Sequence, residues 1–177
     1  MGAAGDKLFA DLCGKPVLQY SIEAFQSAKS IDEIIVVTSD ERIERVRELC
    51  KPSESVTVVK GGNTRAESVL CGINTIDYTD GVIAIHDGAR PLITPELIDT
   101  AIENCPCILA VAVKDTVKLC RDGYVQSTPD RDLLYLAQTP QVFDLRTYRN
   151  ADVSNVGDTA DVTDNQRVCG GGRYHVL

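Results

Sequence analysis

At 177 residues, with 44% hydrophobic and 25% charged side chains, the chain has the proportions of one globular domain with a core of its own. A net charge of -8 argues against nucleic acid as a partner, since binding a phosphate backbone needs a basic face, yet it leaves small anions open to local Lys, Arg and backbone N–H groups. No apolar run approaches the roughly 18 residues that read as a bilayer span, and the first residues lack a basic stretch followed by an apolar one, so neither a membrane segment nor a secretory signal is expected and the expected location is cytoplasmic.

In chain order, Leu18, Ile22 and Phe25 repeat at helical period. They are followed by the continuous apolar run Ile34-Ile35-Val36-Val37. A second helical pattern holds Ile43, Val46 and Leu49, and a second apolar run is Val56-Thr57-Val58-Val59. Thr64 and Glu67 have the spacing of a capping box ahead of Val69, Ile73 and Ile76. The run Val82-Ile83-Ala84-Ile85 comes next, then Thr94-Pro95-Glu96, an N-cap with proline at the first helical position, ahead of Leu97, Ile98, Ala101 and Ile102. The run Ile108-Leu109-Ala110-Val111-Ala112-Val113 closes the series. Short runs without alternation are strands covered on both faces, so the pattern predicts an α/β, Rossmann-like fold: a mostly parallel sheet with helices on both faces.

Beyond residue 114 the texture changes. Thr116-Val117-Lys118-Leu119 and Gly123-Tyr124-Val125-Gln126 read as two short strands around Cys120-Arg121-Asp122, a small protruding β-arm over about residues 114–138 rather than another crossover. The expected organisation is one domain over residues 1–177. The seven cysteines (13, 50, 71, 105, 107, 120 and 169) show no C-x-x-C pair, and with two histidines they give no zinc spacing, so they read as mostly buried thiols.

Two loops attract chemistry. Lys60-Gly61-Gly62-Asn63-Thr64-Arg65 leaves a strand and opens a helix, which lets backbone approach an anion or a base edge, although an ordinary strand-to-helix turn has the same pattern. His86-Asp87-Gly88-Ala89-Arg90-Pro91 sets an acid, two small residues and a base at another strand end. Asp87 there suits a hydroxyl or a metal and Arg90 a phosphate, while an internal Asp–Arg brace is the plainer alternative. His86 itself reads more readily as a packing residue than as an acid or base. In a doubly wound sheet both loops face one crevice beyond the carboxyl ends of the strands.

These segments, with Lys7-Leu8-Phe9, Gly14-Lys15-Pro16-Val17-Leu18, Ser68-Val69, Asp115-Thr116-Val117-Lys118, Asp130-Arg131, Gln138-Thr139-Pro140-Gln141 and Thr163-Asp164, occur in an order that resembles the 2-C-methyl-D-erythritol 4-phosphate cytidylyltransferases. The likeness spans most of the chain. The loop His86–Pro91 combined with Gln138–Gln141 is shared with the related ribitol-5-phosphate cytidylyltransferases, and Ala89 and Asp115–Lys118 look more like the methylerythritol branch.

The resemblance implies a nucleotidyltransferase that takes CTP and a polyol phosphate, uses Mg²⁺ and releases pyrophosphate. It implies catalytic roles for Lys7, Asp87 and Arg131, and nucleotide contacts from Gly62, Asn63, Ser68, Gly88 and Ala89. Acceptor contacts fall on Asp87, Arg90, Thr116, Arg131, Thr139 and Thr163, with Asp87 also beside the metal; Arg65 is expected to brace its loop. A homodimer follows, the arm of one copy completing the site of the other. Family members carry a strand and a glycine-rich phosphate loop ending in arginine before the lysine, and this sequence opens just after that arginine. A longer native chain is therefore expected, and little activity from a polypeptide that begins at Met1. Within the same chemistry ribitol-5-phosphate is the alternative acceptor; outside it, the alternative is a non-catalytic nucleotide-binding or dimerisation module.

Overall fold

The first element is a single 3₁₀ turn, Lys7–Phe9, in the computed structural model, which describes residues 7–50, 55–150 and 175–176. A miniature hairpin follows, β1 (Asp11–Leu12) against β2 (Lys15–Pro16). Its two corner residues, Cys13 at φ 52° and Gly14 at φ 87°, both take the positive φ that a two-residue hairpin turn of the primed type requires. Helix α1 (Val17–Ser27) then buries Leu18, Ser21, Ile22, Ala24 and Phe25.

From here strands and helices alternate as the apolar pattern predicts. β3 (Ile34–Thr38) is joined through α2 (Ile43–Cys50) to β4 (Val56–Lys60), which lies parallel to it in the register Ile34 to Val56. α3 (Arg65–Ile73) follows the glycine loop, β5 (Val82–Ile85) comes next, and α4 (Pro95–Glu103) leads into β6 (Cys107–Ala112). Both predicted helix starts are formed: Thr64 Oγ1 accepts from the Glu67 N–H while the Glu67 carboxylate accepts at the cap, and Thr94 Oγ1 accepts from the Leu97 N–H ahead of Pro95.

The arm differs in register from the sequence expectation. β7 is Leu119–Arg121 and β8 is Tyr124–Ser127, so the turn falls on Asp122-Gly123 and not on residues 120–122. Those two residues carry φ 51° and 81°, and glycine takes such angles without the clash that a Cβ brings. Local turn chemistry decided the register over the apolar pattern.

One element escaped the sequence reading altogether. β9 (Tyr135–Asp144) is ten residues long, runs antiparallel to both β5 and β6, and ends in α5 (Leu145–Asn150). With β10 (His175–Val176) parallel on β6, the order is β10-β6-β9-β5 in one sheet and β3-β4 in another. The architecture is α/β and Rossmann-like, with β9 making the larger sheet mixed.

Side chains alternate between two helical layers. Ile34, Val36, Val56, Val58 and Ala84 pack toward α1, α2 and α4, whereas Ile83 and Ile85 pack with Phe143, Leu145 and Tyr148 on the α3 and α5 side. Helices on both faces explain the near-continuous apolar runs of these strands. Among the described residues β3 pairs only with β4 and β5 only with β9, and both β3 and β5 line a cleft of about 330 Å³ that also touches His86 and Gly88.

Candidate active site

The loop after β5 is held from three directions. The Asp87 backbone N–H donates to Thr139 Oγ1 of β9 (3.2 Å), and Ser21 Oγ of α1 donates to the carbonyls of Gly88 (3.2 Å) and Arg90 (3.3 Å). The Arg90 N–H closes the turn on the Asp87 carbonyl at 2.9 Å. Gly88 lies close to α1: a Cβ there would lie 2.7 Å from the flexible end of Leu18, at Cδ1, and Leu8 Cδ2 is 3.7 Å from the same point, which brings the Lys7–Phe9 turn to this loop.

Asp87 sits between two guanidinium groups. Its Oδ1 accepts from Arg65 Nε (3.3 Å) and Nη2 (3.2 Å), and its Oδ2 accepts from Arg90 Nε (3.2 Å). Arg90 Nη1 also donates to Gln138 Oε1. The brace foreseen as the plainer alternative, Asp87 with Arg90, is present; Arg65, expected to brace its own loop, reaches across to Asp87 instead. What the sequence did not reveal is that Arg65 Nη1 is buried with no hydrogen-bond partner among the described residues. An unsatisfied buried donor on a charged group costs more than the roughly 1–3 kcal/mol of a neutral one, so an oxygen from a bound anion is the natural complement.

The glycine loop after β4 is arranged differently. The Glu67 carboxylate accepts from the Asn63 N–H (2.6 Å) and the Thr64 N–H (3.4 Å), and Ser68 Oγ donates back to the Thr64 carbonyl (2.9 Å). A Cβ on Gly62 would stand 2.3 Å from Glu67 Cβ, so the glycine is dictated by the first turn of α3. With a carboxylate already at this helix start, the loop suits a neutral base edge better than a phosphate.

Thr139 is buried, and its hydroxyl is engaged by Asp87 N–H and by His86 Nδ1 at 3.0 Å. His86 Nε2 lies 3.2 Å from the Arg90 carbonyl, and its ring packs on Phe25 with centroids 5.2 Å apart. Burial pushes the His86 pKa down against the opposing hydrogen bond to Arg90, which favours the neutral ring. Lys7 and Asn63 are exposed, as is Ala89. Thr116 is exposed in the loop between β6 and β7, and Arg131, in the turn Arg131–Leu133, reaches the Lys114 carbonyl (3.4 Å) and so folds onto the arm itself. Thr163 lies outside the described residues.

Ser21 is the participant that sequence reasoning passed over; Gln138 stood only within the Gln138–Gln141 motif, and His86, read as a packing residue, does pack on Phe25 with both ring nitrogens engaged. A serine inside the buried stripe Leu18, Ser21, Ile22, Phe25 was the available signal, since a polar group there must find a partner. For magnesium, the described residues contain no group of three or more ligating side chains. Asp87, the expected ligand, already faces two cations. These residues do not fit a protein-held dication; such an ion would arrive on the triphosphate oxygens.

A family model described as IspD, 2-C-methyl-D-erythritol 4-phosphate cytidylyltransferase, matches residues 1–176. The enzyme of that name from Caldanaerobacter subterraneus subsp. tengcongensis is 43% identical over 81% of this chain and 67% of its own length. Its counterpart from Lachnoclostridium phytofermentans is 45% identical over 85% and 68%. Among solved structures, a 4-diphosphocytidyl-2C-methyl-D-erythritol synthase from Anaerococcus prevotii superimposes with a TM-score of 0.83 at 29% identity, covering 94% of this chain and 78% of that one. The cytidylyltransferase of Francisella tularensis gives 0.77 at 28% identity, covering 99% and 86%.

Proposed function

The chain belongs to the 2-C-methyl-D-erythritol 4-phosphate cytidylyltransferase family, and from that premise we propose that it transfers the cytidylyl group of CTP to 2-C-methyl-D-erythritol 4-phosphate with release of pyrophosphate. The observation that carries this reading is the Arg65–Asp87–Arg90 array beyond the end of β5, in a chain that the family model matches over residues 1–176. Two arginines around one carboxylate, on a chain of net charge -8, concentrate positive potential where two polyanions must meet.

An oxygen of the acceptor phosphate attacks the α-phosphorus of CTP in line. A new P–O bond forms as the bond to the β-phosphate oxygen breaks, and that electron pair leaves with pyrophosphate. The attacking group is already an anion near neutral pH, so the reaction calls for positioning and charge neutralisation rather than a general base. Arg90, fixed through Nε and Nη1 on Asp87 and Gln138, presents its remaining N–H donors to the acceptor phosphate, and Lys7 neutralises the α-phosphate. Gly62, Asn63 and Ser68 read the base while Gly88 and Ala89 admit the ribose; Thr139 supports the acceptor side from behind the loop, and Thr163 belongs to that side too. A divalent cation accompanying the triphosphate would offset its charge.

Thr116 and Arg131 act on the acceptor in a second copy of the chain. The arm supports that dimer through exposed apolar side chains, Leu119, Tyr124, Val125, Leu133 and Leu136, which protrude with little of their own core beneath them. A cytoplasmic location fits the free thiols among the described cysteines; no helix of the described residues is long and apolar enough to cross a membrane.

The test is CTP-dependent pyrophosphate release by the full-length native protein with a divalent cation, run in parallel on methylerythritol phosphate and ribitol-5-phosphate. Release with the first acceptor, reduced roughly 10²–10³-fold by Asp87→Asn and by Lys7→Ala, is the expected result. Release with ribitol-5-phosphate alone would overturn the acceptor assignment, and no release with either would overturn the transfer.

A further inference from the structure

His86 has both ring nitrogens engaged, and the partners dictate which one carries the proton. The Arg90 carbonyl 3.2 Å from Nε2 can only accept, so Nε2 must be protonated. From the other end, the Asp87 backbone N–H can only donate, so Thr139 Oγ1 accepts it at 3.2 Å; with the single proton of the neutral ring on Nε2, Nδ1 is an acceptor and the Thr139 hydroxyl donates to it at 3.0 Å. The Arg90 carbonyl therefore sets the tautomer of the neutral ring, and with it one direction of donation, from the Asp87 N–H through the Thr139 hydroxyl to Nδ1, and from Nε2–H to the Arg90 carbonyl. The opposite tautomer would set a lone pair against a carbonyl at Nε2.

The chain of bonds starts at one end of the Asp87–Arg90 turn and finishes at the other. The ring also rests on Phe25 of α1, and Thr139 belongs to β9. One imidazole thus ties together both ends of the loop, a helix and a strand that sequence separates by more than a hundred residues. The two residues it fixes, Asp87 and Arg90, are those that face the acceptor.

We infer that His86 is a positioning residue for the transfer, acting as an Nε2–H clasp that sets the Asp87–Arg90 turn at the distance and orientation needed for the acceptor phosphate. The inference rests on the transfer reading above. It assigns His86 no proton transfer and no contact with substrate. A group held this way acts on binding of the acceptor and on its alignment, and leaves the glycine loop that reads the base untouched.

The experiment compares His86→Gln, which keeps a donor near Nε2, with His86→Leu, which keeps bulk and no hydrogen bond, measuring KM separately for CTP and for methylerythritol phosphate. His86→Leu is expected to raise the acceptor KM or lower kcat by roughly tenfold, the ratio that one net hydrogen bond corresponds to, with a smaller change in the CTP KM, since only Gly88 and Ala89 of this turn face the nucleotide. His86→Gln is expected to recover most of that loss. Equal changes in both KM values accompanied by a lower melting temperature, or no change in either, would overturn the positioning role. Nitrogen-15 NMR of the imidazole gives a reading independent of turnover: a protonated Nε2 and unprotonated Nδ1 support the clasp, and the reverse tautomer overturns it. Absence of turnover in the unsubstituted protein would remove the transfer reading itself, and the NMR would still decide the clasp.

Discussion

Asp87 and Thr139 stand 52 residues apart and are joined by a hydrogen bond of 3.2 Å from the Asp87 backbone N–H to the Thr139 hydroxyl. The bond connects the loop after β5 to the middle of β9, the strand antiparallel to it. It makes the position of the Asp87 carboxylate a property of two strands rather than of one loop.

Replacement of Thr139 by valine keeps the shape and removes the hydroxyl. The Asp87 N–H and His86 Nδ1 both lose their partner, so a destabilisation of about 1–3 kcal/mol is expected in urea unfolding, with a fall in kcat/KM for the acceptor. Thr139→Ser restores the oxygen and is expected to recover most of both. A serine variant as impaired as the valine variant would show that the methyl group matters instead.

The two site glycines are constrained by different neighbours. A Cβ on Gly62 meets Glu67 Cβ at 2.3 Å and the Glu67 carboxylate at 2.7 Å, whereas a Cβ on Gly88 meets the end of the Leu18 side chain at 2.7 Å. Leucine can turn its terminal methyl away, but the capping box of α3 cannot move without losing its bonds. Gly62→Ala is therefore expected to lower stability by about 1–3 kcal/mol and to weaken CTP binding, and Gly88→Ala to be the milder for stability. Thermal melts and a CTP titration of both variants check the order.

Asp99 of α4 holds the chain between α1 and β3. Its carboxylate accepts from Ser30 Oγ (2.6 Å), the Ser30 N–H (2.9 Å) and the Lys29 N–H (3.3 Å), and these bonds, the Ser30 hydroxyl first, hold its pKa below the usual aspartate value. A lowered folded-state pKa gives stability that is complete above the unfolded value of about 3.9 and disappears as pH falls through the folded value. Urea midpoints measured from pH 6 downward, a range of about three units, should converge for the wild type and Asp99→Asn at the acid end, with the gap widest near neutrality. A gap independent of pH would contradict the assignment.

Thiol reactivity should follow burial. Burial pushes the Cys107 thiol up to about 11 and raises Cys50 and Cys105, while Cys13 is exposed at the turn of the first hairpin and Cys120 is exposed on β7. Iodoacetamide at mildly alkaline pH is expected to label Cys13 and Cys120 first and to reach Cys107 only on unfolding, because the thiolate is the nucleophile. Mass spectrometry of peptides after timed quenching gives the order.

The sequence by itself determined the elements whose burial repeats along the chain. Strands apolar at every position, such as Val82–Ile85, told of helices on both faces, and Thr64 with Glu67 and Thr94 with Pro95 marked helix starts, because caps are local chemistry among residues three or four apart. It also singled out Asp87 and Arg90 as an acid and a base in one short loop. The tertiary structure alone decided what those residues touch. β9 is exposed along its arm half and buried in its sheet half, with Pro140 within it, so no single period announced it, and without β9 there is no Thr139 behind the loop. The orphaned Arg65 Nη1, the serine of α1 under the Gly88 and Arg90 carbonyls, and the tautomer of His86 are likewise contacts between segments remote in sequence. Periodicity records which side of an element is buried, and only the assembled fold records against what.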